Sequence, residues 1–445
     1  GWRHEPTAGE RTGEESSLLA ITRKECGSVS TVIAARQAGE PERDHGRAGA
    51  GDGSVSGIAS SGRTASCDEL ASLAIGVGIR RIEIVAWRDL DDPEAGGSEL
   101  HSHRIASRWA AAGLDVAFRT SAVPAQPTAV ERSGYHAVRR HGRYGVFPAV
   151  AWEGIRSASN ADAVVEVWNG MPFFSPLWFH GPRIVFLHHV HAEMWRMALP
   201  SSLAALGRSI ESTIAPVLYR RSRIVTLSQS SREEIVSMLR IPGHQVTVVP
   251  PGVDPRFIPG GRRSRVPLVV AVGRLVPVKR FDLLIESLAR VREMFPDLEA
   301  VIIGEGYERD RLEAIRKRVG AEKWLQLPGR LTDDDVKEWY RRAWVVAATS
   351  LREGWGMTLT EAAACGTPGV ATSIAGHRDA VIDETTGLLA EGMEGLVDAF
   401  KRLLGDESLR NRLGRAAEEY ARSLTWDATA SSTLRVLLGE ATGRA

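Results

Sequence analysis

The stretch that decides the fold is Glu353-Gly-Trp-Gly-Met-Thr-Leu-Thr-Glu361, which lies between an apolar strand and a helix. The preceding run 343–348 predicts a buried strand, and residues 360–365, closed by Gly366 and Pro368, predict a helix. Two carboxylates therefore flank the start of a helix that follows a parallel strand. Ligands bind at this edge of open α/β sheets, and helix starts bind phosphate. Carboxylates beside a phosphate can accept hydrogen bonds from sugar hydroxyls, which points to a nucleotide sugar.

Both carboxylates of this motif also have a structural interpretation. Thr358-Leu-Thr-Glu361 fits a capping box, in which Glu361 accepts a hydrogen bond from a helix-start N–H. Glu353 alone could be a solvated loop carboxylate. As a pair separated by seven residues, however, with Gly354 and Gly356 between them, they resemble the paired-glutamate motif of retaining glycosyltransferases of family four. Those enzymes have the GT-B fold, in which two Rossmann-like domains face a central cleft.

Size and composition agree with two α/β domains. The chain has 445 residues, enough for two domains of ordinary size, and 43% of them are hydrophobic. A net charge of +1 gives no overall attraction to nucleic acid. The three cysteines show no metal spacing and are too few for a disulfide framework, which fits a reducing cytoplasm. No apolar run approaches the ~18 residues that span a bilayer.

Alternating strands and helices predict how the chain is divided. We expect residues 1–78 to be a disordered or misassigned extension, because most of this segment lacks apolar periodicity. Residues 79–255 would form the acceptor-side Rossmann-like domain, and residues 256–424 the nucleotide-sugar-binding one. The family resemblance implies that residues 425–445 return as a helix to the first domain.

Two cations follow the first strand of the second half. Arg274 comes directly after Gly273, and Lys279 stands just before the next predicted helix. A solvated basic loop is the alternative, although an arginine fork and a lysine point charge both suit a diphosphate. The run 272–286 resembles the donor-phosphate segment of the family, with Arg280 where the family has glycine. The resemblance implies that Gly273, Arg274 and Lys279 hold the diphosphate and stabilise it as it leaves.

The resemblance implies further donor contacts at neighbouring strand ends. Gly304 would line the nucleotide pocket, and Leu331 would contact the base. Glu361 would accept the ribose hydroxyls, while Glu353 would contact a hydroxyl of the donor sugar. The phosphates would meet backbone N–H groups at the helix start, contributed by Gly356, Met357, Thr358 and Leu359.

The first half contributes a glycine loop. Ala95-Gly-Gly-Ser-Glu99 lies between the first strand and its helix, where glycine lets a backbone approach a ligand closely. A plain turn with Ser98 as N-cap is the alternative. The loop resembles the Gly-Gly-x-Glu loop of the family, so Gly97 is expected close to the donor phosphate.

Three histidines, in the run His188-His-Val-His191, follow another predicted strand. A metal site is one interpretation, but no further ligand stands at a recognisable spacing. The resemblance places a histidine after this strand, near the anomeric carbon of the donor. His188 is the best match to that position, and His189 is the alternative.

Together with these residues, the family resemblance implies retaining, metal-independent transfer of a glycosyl group from a nucleoside-diphosphate sugar to an acceptor hydroxyl. The donor would be a sugar nucleotide such as GDP-mannose, UDP-glucose or UDP-GlcNAc, with no cofactor and no metal. The acceptor would be a glycan, a lipid-linked group or a small molecule. The catalytic candidates are His188, Arg274, Lys279 and Glu353. The alternatives are a nucleotide-sugar epimerase with the same fold and a non-catalytic nucleotide-sugar-binding subunit.

Membrane contact is a separate question. The stretch 135–144 is basic and carries two tyrosines. A solvated face is its ordinary interpretation, and contact with anionic lipid or a lipid acceptor is the alternative. We therefore expect a cytoplasmic protein, with peripheral attachment at the inner membrane face as the alternative.

Overall fold

The computed structural model describes residues 65–156, 159–198 and 200–443, so most of the expected extension lies outside it. The described chain forms two α/β lobes. The front lobe, residues 65–252 together with the last helix, contains one mixed sheet. Its strands are β1 Arg81–Val85, β2 Asp115–Thr120, β3 Ala129–Arg132, β4 Tyr135–Arg139, β5 Ala163–Val167, β6 Arg183–Phe186, β7 Arg223–Thr226 and β8 Val246–Val248.

Helices cover this sheet. They are α1 Cys67–Gly76, α2 Gly97–Ala111, α3 Val146–Arg156, α4 Met194–Ala198, α5 Ser201–Ser209, α6 Ala215–Tyr219 and α7 Gln229–Leu239, with a π-helical segment Ile210–Ile214 joining α5 to α6. The strand order is β3-β4-β2-β1-β5-β6-β7-β8, and every described pair is parallel except the β3–β4 hairpin. The order reverses between β1 and β5, so a crevice opens beyond their carboxyl ends.

The rear lobe, residues 253–424, is a six-stranded parallel sheet with helices on its faces. Its strands are β9 Leu268–Val272, β10 Glu299–Ile303, β11 Leu325–Gly329, β12 Val345–Ala348, β13 Gly369–Thr372 and β14 Gly387–Ala390. Its helices are α8 Phe281–Met294, α9 Arg309–Arg318, α10 Asp333–Arg342, α11 Met357–Ala364, α12 His377–Ala380, α13 Gly392–Gly405 and α14 Glu407–Arg422. The order β11-β10-β9-β12-β13-β14 is the doubly wound arrangement, with its reversal between β9 and β12.

The N-terminal extension expected at residues 1–78 overlaps a helix that belongs to the front lobe. Helix α1 begins after Ser66, whose hydroxyl accepts the N–H of Glu69 while the Glu69 carboxylate accepts the N–H of Ser66. Leu70, Ala71 and Ala74 are buried in the front-lobe core. The front lobe therefore begins before residue 79, because this short apolar stretch belongs to a helix that is buried on one side.

The stretch 135–144 is only partly a solvated basic face: Arg140, His141 and Tyr144 are exposed, whereas Arg139 is buried. Its first half is β4, in which Tyr135 is 3% exposed and Arg139 is 1% exposed. The guanidinium of Arg139 donates to the fully buried carboxylate of Asp89 at 2.8 Å. A buried arginine needs such a partner, and here the partner comes from the loop after β1.

The chain crosses between the lobes twice, at adjacent places. The N–H of Val253 donates to the carbonyl oxygen of Leu424 at 2.9 Å, and Val253 pairs with Thr425 as a parallel bridge. Beyond this point the last helix, α15 Trp426–Ala441, packs in the front-lobe core, where Trp109 Nε1 donates to the carbonyl oxygen of Ala430 at 3.0 Å.

Candidate active site

A lysine and a glutamate meet where the strand order of the rear-lobe sheet reverses, between β9 and β12. Lys279 Nζ forms an ion pair with the carboxylate of Glu353, which also accepts a hydrogen bond from Ser350 Oγ at 2.9 Å. Burial alone would raise the pKa of Glu353, but the Lys279 charge and these hydrogen bonds hold it at about 2. Glu353 is therefore a fixed, ionised carboxylate at the sheet edge.

Helix α11 begins immediately after this carboxylate. Gly356 precedes it with φ +109°, a left-handed conformation that favours glycine, and Met357 is the first helical residue. The helix thus starts three residues before the predicted Thr360, and Thr358 is not its N-cap. The capping-box interpretation of Glu361 is wrong, and the positive end of the helix dipole faces the cleft beside Glu353.

Glu361 lies in a different environment from Glu353. It accepts a hydrogen bond from the hydroxyl of Tyr340 at 3.2 Å. Burial raises its pKa to about 8; the hydrogen bond from Tyr340 opposes this shift, and the charges of Asp333 and Asp254 add to it. Leu331 packs against the same apolar cluster as Tyr340. The region around Glu361 therefore combines an apolar wall with one carboxyl group that can accept further hydrogen bonds.

One turn with two glycines shapes the other side of the candidate site. A Cβ atom added to Gly304 would lie 1.9 Å from the carbonyl oxygen of Gly273, and Gly304 has φ +147°. A Cβ on Gly306 would lie 2.2 Å from the carbonyl oxygen of Leu275. The turn after β10 therefore supports the backbone that carries Arg274, and it can do so only with glycine at these positions.

The front-lobe glycine loop meets the rear lobe at Arg274 and Met357. Arg274 Nη1 donates to the carbonyl oxygen of Glu94 at 3.0 Å. A Cβ on Gly97 would lie 3.3 Å from Met357 Sδ. Helix α2 begins after Gly96, not after Ser98 as in the plain-turn alternative, and the Glu99 carboxylate accepts the Gly96 N–H at 2.8 Å.

The histidine prediction requires a correction. The His188 ring points into the front lobe, with Nε2 3.2 Å from Nδ1 of His101. The charged neighbours of the His189 ring are instead Glu353, Arg352, Lys279 and Arg274, and its buried Nε2 has no hydrogen-bond partner in the described part of the chain. His189, the alternative, is thus the histidine beside the candidate site. Burial lowers its pKa to about 4, so the ring is neutral.

His377 belongs to the site although the sequence argument did not select it. Its Nδ1 lies 3.0 Å from the carbonyl oxygen of Thr372, and a Cβ on Gly356 would lie 3.0 Å from its Cδ2. Burial lowers its pKa to about 4 despite the charge of Glu353. The sequence feature that could have identified His377 is its position directly after Ala375-Gly376, which stands where the family has a Gly-Gly pair.

Arg88 was also missed, because a charged residue just after a strand carries no distinctive motif. It is 7% exposed, and its guanidinium lies over the Trp87 ring at 3.8 Å. Its Nη1 donates to the carbonyl oxygen of Glu94 at 3.2 Å, the same oxygen that accepts from Arg274. Burial and the neighbouring Arg274 and Arg143 charges lower its pKa, with Glu99 opposing them.

Searching the described residues reveals no group of three or more His, Cys, Asp or Glu side chains able to hold a metal ion. It also reveals no helix long and apolar enough to cross a membrane. Cys67 and Cys365 are free thiols.

Comparison with known proteins agrees with this geometry. The family model described as "Glycosyltransferase Family 4" matches residues 95–257, and the model "Glycosyl transferases group 1" matches residues 257–420. The chain belongs to glycosyltransferase family four. A similar relative, the D-inositol 3-phosphate glycosyltransferase of Kribbella flavida, is 27% identical over 405 residues, which cover 80% of this chain and 95% of that protein.

Solved structures agree on the fold of this glycosyltransferase. Sucrose-phosphate synthase from Thermosynechococcus elongatus has a TM-score of 0.70 at 20% identity, covering 82% of this chain and 100% of that one. HepE from Anabaena, solved in complex with UDP-glucose, has a TM-score of 0.63 at 18% identity, covering 81% and 99%. The predicted GT-B fold is confirmed, and so is the prediction that the chain is a glycosyltransferase.

Proposed function

We propose that this glycosyltransferase moves a sugar from a nucleoside diphosphate to an acceptor hydroxyl, with retention of configuration and without a metal ion. The observation that carries the proposal is the Lys279–Glu353 ion pair, fixed beside the start of α11 and opposite the glycine loop of the front lobe. This arrangement puts a cation, a carboxylate and helix-start N–H groups at one sheet edge. A diphosphate bonded to a hydroxyl-bearing sugar needs all three.

On the donor side, Arg274 and Lys279 would neutralise the diphosphate, and N–H groups of residues 356–359 would contact its oxygens. Glu361 supports a ribose contact, because a desolvated carboxyl with a raised pKa gains stability from hydroxyl partners. Leu331 would contact the base. HepE was solved with UDP-glucose, which supports a uridine sugar nucleotide as the donor class we propose, with a guanosine sugar nucleotide as the alternative.

The chemical step needs little beyond positioning. The bond between the anomeric carbon and the phosphate oxygen breaks, the acceptor oxygen bonds to that carbon on the same face, and the acceptor proton passes to a phosphate oxygen. Glu353 is engaged by Lys279, so it suits a sugar hydroxyl better than a covalent bond to the anomeric carbon. Two cations facing the departing phosphate supply the charge stabilisation that a metal ion would otherwise give.

On the acceptor side, we propose an anionic acceptor, a phosphate-bearing polyol being the first candidate. Arg88, Arg143 and Arg274 surround one residue, Glu94, whose carboxylate pairs with Arg143 and lies 3.6 Å from Arg88. Glu99 lies 3.7 Å from Arg88, and the charge of Asp92 acts on Arg143, so the proposal rests on the hydrogen-bond donors of these guanidinium groups and not on a net charge. The relatives named D-inositol 3-phosphate glycosyltransferase support a phosphate on the acceptor.

The proposal is tested first on the donor. We expect one sugar nucleotide of a panel to raise the melting temperature of the protein, because a ligand that binds only the folded state stabilises it. Lys279→Ala should abolish that shift, whereas Lys323→Ala, an exposed lysine of the same lobe, should retain it. A donor shift unaffected by Lys279→Ala would contradict the donor assignment.

The acceptor is tested by product analysis with D-inositol 3-phosphate and with inositol. Transfer to the phosphorylated acceptor, with the α-anomeric configuration of the donor kept, is the expected result. Arg88→Gln should reduce that transfer and leave donor binding intact. Release of a new nucleotide sugar without any acceptor would favour the epimerase alternative, and donor binding with no turnover on a broad acceptor panel would favour the non-catalytic subunit.

A further inference from the structure

One helix of the front lobe has an apolar face that nothing in the described structure covers. Helices α5 and α6 and the π-helical segment between them form one continuous helix, residues 201–219. Its inner face is buried against the core. Its outer face carries five large aliphatic residues, which we call the outer stripe: Leu203, Leu206, Ile210, Ile214 and Val217.

The outer stripe is regular and open to solvent. Its members are spaced by three, four, four and three residues, which places them along one side of a helix. Leu203 is 52% exposed, Leu206 56%, Ile214 47% and Val217 66%. Scattered exposed aliphatic residues are ordinary, but a contiguous exposed row marks a surface that meets a partner.

The charges beside the stripe are mostly positive, although the exposed Glu193, which pairs with Arg352, stands three residues before Arg196. Arg196, Arg208, Arg220 and Arg221 flank it, and none of them has an ion-pair partner in the described ranges. The one acidic residue between positions 194 and 222 is Glu211. It is 1% exposed and accepts hydrogen bonds from the N–H groups of His191 and Ala192, at 2.7 and 3.0 Å.

A groove of about 490 Å³ runs beside the stripe. Two of the arginines, Arg196 and Arg208, line it together with hydroxyl groups of Ser201, Ser209, Ser212 and Thr213. Guanidinium and hydroxyl groups are the usual ligands of phosphate oxygens. An apolar row beside a cationic, hydroxyl-lined groove matches the two parts of an anionic phospholipid, its acyl chains and its headgroup.

We infer that this helix rests on an anionic membrane surface, with the outer stripe in the acyl boundary and the arginines at the phosphate level. A second copy of this chain fits the face poorly. A two-fold contact through the stripe would bring four arginines against the same four arginines, and like charges oppose such pairing.

The helix is also connected to the candidate site. Glu211, on the inner face of the π-helical segment, holds the backbone of His191 and Ala192 and accepts from Trp195 Nε1 at 2.9 Å. The ring of His191 stacks on His189 at 4.8 Å. A membrane under this helix would therefore lie close to the acceptor side of the cleft, within reach of an acceptor anchored in lipid.

The test is sedimentation of the full chain with vesicles. We expect binding to phosphatidylcholine vesicles in which about one lipid in four is phosphatidylglycerol, and little binding to pure phosphatidylcholine. Leu206→Ser/Val217→Ser should weaken binding by about tenfold or more, because apolar groups leave the acyl boundary. The matched control is Ile258→Ser/Ile382→Ser, which changes two exposed aliphatic residues of the rear lobe and should bind like the wild type.

The arginines are tested separately. Arg208→Gln/Arg220→Gln should lower the affinity for anionic vesicles by about tenfold and reduce its dependence on salt, while Arg435→Gln, exposed on α15, should not. Donor binding by each variant shows that it is folded. The inference is overturned if the wild type does not sediment with anionic vesicles or if the stripe variant binds them equally well. It is also overturned if the stripe instead mediates self-association that the stripe variant abolishes.

Discussion

Asp379 of the rear lobe caps a helix of the front lobe. Its carboxylate accepts the backbone N–H groups of Gln229 and Ser230 at 2.8 and 3.2 Å, and the hydroxyl of Ser230 donates to it as well. The Ser230 hydroxyl in turn accepts the N–H of Gly376 at 2.8 Å. These atoms can meet only when the two lobes are close, so we expect the contact to break if the cleft between the lobes opens.

Removing this cap should favour the open arrangement. Ser228 remains the N-cap of this helix, and a further carboxylate at a helix start contributes up to about 2 kcal/mol, so Asp379→Ala should lower kcat/KM for transfer by up to roughly thirtyfold and increase the radius of gyration of the donor-bound protein. Small-angle scattering and initial rates check both effects. Asp398→Ala, an exposed aspartate of the same lobe, is the matched control. Equal rates and equal radii for the Asp379 variant would argue against a role in closure.

Glu353→Gln should reduce transfer by about a hundredfold or more, because it removes the ion pair with Lys279 and the ionised hydrogen-bond acceptor of the donor sugar. Since Lys279 holds the pKa of Glu353 at about 2, this carboxylate should contribute no change in rate between pH 5 and pH 8. Initial rates across that range are the measurement. The control Glu322→Gln changes an exposed rear-lobe glutamate, and a Glu353 variant as active as this control would refute the assigned role.

Glu361 makes the stability of the apo protein depend on pH in the opposite sense to an ion-paired carboxylate. Its folded pKa of about 8 lies above the ordinary value of 4.5, so the folded state binds the extra proton. Stability should therefore fall as pH rises from 4.5 to about 8 and level off above that. Glu361→Gln should become more stable relative to the wild type over this window, by at least about 1.4 kcal/mol, which corresponds to a tenfold difference in proton affinity between the folded and unfolded states.

Urea unfolding of wild type and Glu361→Gln at pH 5 and pH 8.5 measures this difference, with Glu419→Gln, exposed on α14, as control. A difference between wild type and Glu361→Gln that is constant with pH would contradict the raised pKa of Glu361 in the folded protein. The same variant should bind the donor more weakly, since an amide replaces an acceptor of two ribose hydroxyls.

The two adjacent histidines should behave differently. His189→Ala should lower kcat by about a hundredfold with little loss of stability, because its ring lies among the cleft charges. His188→Ala should instead lower the melting temperature, because its ring is packed against His101 and Phe186. Thermal unfolding and single-turnover rates separate the two, with His180→Ala as an exposed control. A catalytic loss confined to His188→Ala would assign the catalytic role to His188 instead.

The local sequence pattern predicted most helices and strands, but it did not predict in which direction the side chains point beyond the end of a strand. Helix α8, predicted to follow Lys279, is present at Phe281–Met294, because its apolar face repeats with helical spacing. After β6 the chain stays extended, and successive side chains there point in opposite directions. A register shift of one residue therefore exchanges His188 for His189, and no local pattern decides between them.

Long-range pairing hid other features from the sequence. Arg139 is buried because Asp89, fifty positions earlier, supplies its counter-charge, and residue type alone assigns such an arginine to the surface. Arg88 and His377 likewise acquire their surroundings only when loops from different strands meet. The paired glutamates were predictable because strand, glycine turn and helix stand together in one short stretch.

The two crossings between the lobes at Val253 and Leu424 lie side by side and are bonded to each other. A single connecting segment would let one lobe rotate about several axes. Two connecting segments that pair with each other act as one hinge with a defined axis. The lobes can swing about the line joining the crossings and resist rotation about any other axis. Each turnover should therefore retrace one angular path, which returns Asp379 to the same helix end every time the cleft shuts.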